Sequence, residues 1–169
     1  MEDPQTEPRW LDQTEQTAWL RLVAVTMLLP GALEQQLSRD SGLTHFEYYT
    51  LAMLSEAPNR AMAMSALAEL TNASASRLSH VVSRLEKQGW IRRAPSDHDG
   101  RTTVASLTSD GWEKVVAAAP GHVEAVREFV FDPLVPGDLD ALSAALGRIL
   151  NTLDPGHRLL QPPETPTFE

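Results

Sequence analysis

A change of hydrophobic period at residue 89 restricts this chain's fold more than any other feature. Before it, Leu78, Val81, Val82 and Leu85 recur at i, i+3, i+4 and i+7, the spacing that aligns one face of an α-helix. After it, RTTVASL at 101–107 alternates and is rich in β-branched residues, as a half-buried strand is. Gly89 stands where a C-cap glycine belongs. Trp90-Ile91-Arg92-Arg93 reads as a first strand, and APSDHDG at 94–100 as the turn that sends it back. A short helix at 64–71 and a turn with Asn72 and Ser74 precede the amphipathic helix at 75–88. Two short helices across a tight turn, followed by a two-stranded hairpin, describe a winged helix-turn-helix.

The flanks read as helix. Residues 10–38 carry an apolar stripe that includes Trp19, Leu22, Val23, Met27, Leu33 and Leu37. Pro30-Gly31 lies inside it, and a kink or break is expected there because proline removes a donor and crowds the preceding turn. A helix at 44–56 starts from Thr44 with Glu47 three residues on, a capping box. Thr108 caps a further helix at 109–131, with a disturbance expected at Pro120-Gly121, and a last helix spans 137–153. The tails at 1–8 and 154–169 are rich in Pro, Glu and Thr and read as flexible. The expected fold is mainly α with a small β component (α+β): a winged helix-turn-helix lobe at 43–108, between helical dimerisation regions at 9–42 and 109–153.

Charge singles out one surface. The 169-residue chain has a net charge of −9, which argues against nucleic acid. Yet Arg77, Arg84, Lys87, Arg92, Arg93 and Arg101 crowd into residues 74–107 against only Glu86, Asp97 and Asp99. One basic segment on an acidic body is the footprint of a docking surface, although a solvated helix beside a charged loop would look the same. With no cysteine there is no disulfide framework, thiolate metal site or thiol redox sensor. The acidic N-terminus is unlike a secretory signal, and no apolar run approaches the ~18 residues of a membrane span, so a cytoplasmic protein without membrane attachment is expected.

With the apolar stripe turned inward, Ser74, Ser76, Arg77, Ser79, His80 and Arg84 are left for a solvent face at the front and middle of the helix. Small hydroxyls allow close approach to a base edge or phosphate, and arginine makes a bidentate bond to guanine. The helix N-terminus offers unpaired N–H groups to phosphate. An arginine on a thin hairpin suits a narrow minor groove, which points to Arg101, with Asp99 as a brace. Arg92 and Arg93 alternate on a strand, so one face can take only one of them; Arg93 is included among the contacts. Arg84 stands between a phosphate contact and a bridge to Glu86 or another acid.

SRLSHVVSRLEKQGWIRR at 76–93, Asp97 to Arg101, Val104 and LTSDGW at 107–112 together resemble the MarR family of transcriptional regulators. The pattern is an Arg-Leu-Glu helix end, a glycine, an aliphatic residue with a following Arg, an Asp-x-Arg wing and a Leu-Thr-x-x-Gly start to the next helix. Leu43-Thr44 and Leu67-Ala68 fit as well, and the similarity extends over roughly residues 10–153. Leu29-Pro30-Gly31, His45-x-x-Tyr48 and Ser76-Arg77-Leu78-Ser79-His80 are similar to actinobacterial members in particular. Two features depart from the pattern: Pro30-Gly31 interrupts the usual continuous first helix, and the wing reads Asp-Gly-Arg where many members have Asp-Arg-Arg.

The resemblance implies a homodimer with interlocked terminal helices that binds a pseudo-palindromic site in double-stranded DNA, as a repressor. It also implies a small aromatic or anionic effector held near Trp19, His45, Tyr48, Tyr49 and Trp112, residues that would otherwise be ordinary core aromatics. No cofactor is implied. The scattered histidines lack the clustering of a metal site. No phosphate loop, nucleophile elbow or HExxH motif points to an enzyme. The competing reading is a winged-helix dimer that serves as a protein-interaction module.

Overall fold

The computed structural model describes residues 8–96, 100–156 and 158–159. Helix α1 (Gln13–Ser41) begins at Asp12, whose carboxylate accepts from the Glu15 N–H while Glu15 accepts from the Asp12 N–H. It ends at Gly42 in the left-handed region, φ 62°. Helix α2 (His45–Glu56) has the capping box expected of Thr44 and Glu47. A 3-10 turn at Pro58–Arg60 leads into β1 (Ala61–Ala63) and helix α3 (Met64–Leu70). Helix α4 (Ala75–Lys87), β2 (Ile91–Pro95), β3 (Thr103–Leu107), α5 (Ser109–Val126) and α6 (Asp138–Leu153) complete the order.

Several expectations change. Pro30 lies inside an uninterrupted α1, so there is no break at Pro30-Gly31. Both residues are exposed, which lets the proline ring and the unpaired carbonyl of the preceding turn face solvent. Pro120 is likewise carried within α5; the irregularity lies further on, where Arg127–Phe131 winds as a π-helical turn. The sheet has three strands in the order β1-β3-β2, all antiparallel, with Ala61 opposite Ser106 and Ile91 opposite Leu107. β1 ties the start of the helix-turn-helix to the wing. Finally, α1 is long and apolar enough to cross a membrane by length and composition, contrary to the expectation from its sequence.

The core of the lobe is built from Leu51, Leu54, Leu67, Leu78, Val82 and Ile91, all fully or almost fully buried, and each stabilises the fold by about 1.5–3 kcal/mol. Leu37 and Leu43 join the end of α1 to this core, as Val115 and Ala118 join α5. The distribution outside it is uneven. Trp19, Leu20, Met27 and Leu28 of α1 are exposed, as are Leu139, Leu146, Ile149, Leu150 and Leu153 of α6, and α6 has no buried residue.

Candidate nucleic-acid interface

Helix α4 is divided as its sequence requires. Leu78, Val82 and Leu85 are buried, Val81 is half-buried, and Ser74, Ser76, Arg77 and His80 are exposed, with Ser79 partly so. Ser74 is the N-cap: its hydroxyl accepts from the Arg77 N–H at 3.2 Å, while its own proton remains available to donate. The guanidinium of Arg77 lies over the Phe46 ring of α2, 4.2 Å from its centroid, a contact worth about 0.5–1 kcal/mol at an exposed site. That stacking holds the guanidinium against the exposed side of α2 and limits where the arginine can swing.

Arg84 and Arg93 are committed to acids. Arg84 donates to Oε1 of Glu47 at 2.6 Å, and Oε2 of the same carboxylate accepts from the Thr44 N–H and hydroxyl. Arg84 thus bridges α4 to the cap of α2 rather than to Glu86. Glu86 instead takes Arg93, through Nε at 3.0 Å, Nη2 at 2.6 Å and the Arg93 N–H at 3.0 Å. These bonds hold the Glu86 carboxyl below its usual range. Arg93, expected on the nucleic-acid side, is therefore folded against the end of α4, and the exposed arginine of β2 is Arg92.

The wing root is locked to α5. The Thr108 N–H donates to the Trp90 carbonyl, its hydroxyl donates to the Gly89 carbonyl, and the same hydroxyl accepts from the Gly111 N–H. A Cβ on Gly111 would collide with the Trp90 carbonyl oxygen and with Leu107 Cδ1, which gives the Leu-Thr-x-x-Gly pattern a steric reason. Lys114 donates to the Ser41 carbonyl at 2.6 Å and lies over the Trp90 ring, joining α1, α5 and the wing. Arg101 is exposed at the turn into β3. Asp97, His98 and Asp99, including the suggested brace for Arg101, lie outside the described residues.

This frame is shared with known regulators. A model of the MarR family matches residues 41–102. The transcriptional regulator PecS of Dickeya dadantii (strain 3937) is 31% identical over 130 residues, 76% of each chain. The chain belongs to the MarR family. Two Streptomyces coelicolor MarR-family structures are each 42% identical to it: Sco3205, solved in complex with DNA (TM-score 0.83, 89% of this chain and 94% of that one), and AbsC (TM-score 0.81, 86% and 98%). The chain is a transcriptional regulator, and its winged helix-turn-helix is the DNA-binding unit of that family.

The suggested effector residues of this MarR-family chain do not form one cluster. His45 and Tyr48 do meet, but around a residue the sequence reading did not select. The His122 ring of α5 lies 4.5 Å from Tyr48 and 6.0 Å from His45, centroid to centroid. Gln36 of α1 is buried with its Nε2 close to Gly121 of α5, and both Gln36 Oε1 and His122 Nδ1 lack a hydrogen-bond partner. Tyr49 reaches instead toward the Leu70 carbonyl, Trp112 is covered by the Arg60 guanidinium at 3.7 Å, and Trp19 is on the exposed face of α1. Only spacing could have flagged His122, since it sits four residues after buried Ala118 on the α5 stripe; nothing local marks it. Among the described residues no group of three or more His, Asp or Glu side chains could hold a metal ion.

Proposed function

We infer that the chain acts as a homodimeric repressor, placing two copies of α4 in successive major grooves of a pseudo-palindromic operator. The exposed edge of α4 carries this reading: a capped N-terminus, Ser74, Ser76, Arg77, Ser79 and His80 on one accessible face, and an apolar stripe anchored in the lobe. Arg101 serves the wing. The ion pairs make Arg84 and Arg93 braces, and Arg92 joins the candidate contacts. The family supports a reading of regulation rather than catalysis, in the cytoplasm. Residues 9–42 and 109–153 form the dimerisation region and 43–108 the DNA-binding lobe. The apolar side chains that α1 and α6 leave in water are covered by a second copy, since contiguous exposed patches of this kind mark interfaces.

Selection of bound duplexes from random DNA tests the reading. The expected product is a two-fold pseudo-palindrome with half-sites about one helical turn apart. A protein-interaction module would enrich no sequence. A small aromatic or anionic effector, if it acts near His45 and Tyr48, should weaken binding to the selected duplex at saturating concentration.

A further inference from the structure

We propose that the junction of α1, α2 and α5 around His122, His45 and Tyr48 is a proton-operated coupling, through which acidification weakens operator binding. The proposal rests on the DNA-binding reading above and deepens it by naming a signal. His45 is the first residue of α2, inside the DNA-binding lobe; His122 lies on α5, which leaves that lobe; Gln36 belongs to α1. The three elements meet where the lobe is attached to the helices assigned to the dimer, so a change of charge here acts on the hinge between the two.

The neutral junction is well packed but poorly equipped for charge. The His122 ring packs at a tilt on Tyr48, which is 8% exposed. The acids facing it from α1 are already engaged: Glu34 accepts from the His45 N–H at 2.6 Å, and Asp40 accepts from Arg39 and from Gln36. Burial lowers the pKa of both histidines; His45 lowers that of His122 further, while Glu34 partly offsets the effect on His45. A group whose folded pKa is lowered contributes its full stability above the unfolded value, about 6.5 for histidine, and loses it as pH falls through the folded value. Below about pH 6.5 the junction must therefore take up an unfavourable charge or open. Opening moves α2, and with it the Arg77–Phe46 stack, relative to α5.

To isolate the junction, the test uses the full chain carrying His98→Gln and His157→Gln, which leaves His45, His80 and His122 as its histidines, and compares it with the same chain lacking the His122 imidazole. Fluorescence anisotropy on the selected duplex should show affinity falling roughly tenfold from pH 7.5 to 5.5, an ordinary size for coupling between sites. Adding His122→Phe, which keeps a ring on Tyr48, should reduce the change to less than about twofold. Equal pH dependence in the two proteins overturns the proposal. NMR titration of the imidazole Cε1–H protons reads the junction without DNA and without the Phe variant: His122 should titrate below the ordinary value, and higher once His45→Gln removes the neighbouring charge. An ordinary, His45-independent titration overturns the switch alone, whereas failure to select any duplex overturns the DNA reading alone.

Discussion

Arg101 and Arg77 are exposed arginines with different expected tasks. Arg101→Ala removes a wing contact to backbone or minor groove, so affinity should fall on all sequences and the slope of log K against log salt should shrink by about one unit. Anisotropy titrations at several salt concentrations read both; an unchanged slope contradicts the wing assignment. Arg77→Ala should instead change which duplexes are preferred, at about 1–3 kcal/mol for a lost base contact, visible when selection is repeated with the variant. Arg84→Ala should do neither. It breaks an exposed bridge to Glu47, worth no more than about 1 kcal/mol, and should lower the melting temperature slightly while leaving the salt slope intact. The sequence left Arg84 undecided because its partner lies 37 positions away. Arg93 was expected among the contacts; the alternation of a strand shows that Arg92 and Arg93 diverge but not that it is Arg93 that meets Glu86.

The elements that local chemistry specifies were legible: the Thr44–Glu47 capping box, the Ser74 and Thr108 caps, the glycine at 89 and the amphipathic α4. Those that depend on distant partners were not. β1 is three residues of Ala and Met, without strand propensity of its own, and exists because β3 has a free edge to pair. Pro30 and Pro120 read locally as breaks, yet both helices continue, held by packing of Leu33 and Leu37 on one and Val115, Ala118 and Ala125 on the other. The Leu-Thr-x-x-Gly motif was read by likeness, and its cause is the contact between the start of α5 and the Trp90 carbonyl. Gly111→Ala should therefore destabilise by about 1–3 kcal/mol or more, the usual result of overpacking. Urea unfolding followed by circular dichroism measures it; a loss below about 0.5 kcal/mol would mean that the backbone at the wing root yields freely.

At the scale of the molecule, the acidic balance and the basic strip are compatible because they occupy different regions: the body away from α4 and the wing carries the negative charge and helps to orient the surface that approaches DNA. The apolar faces of α1 and α6 have no cover among the described residues. Leu150→Asp, on the exposed face of α6, should weaken self-association by about 2 kcal/mol or more, as for other interface anchors. Sedimentation would show monomer at concentrations where the parent is dimeric, with operator affinity lost in parallel. The central claim is that two α4 helices enter major grooves on one side of the duplex, flanked by wings. Methylation interference on the selected duplex tests it most directly. Guanine N7 methylation should block binding in two clusters about 10 base pairs apart, and adenine N3 methylation in minor-groove positions beside them. A single cluster, or indifference to N7 methylation throughout, would contradict it.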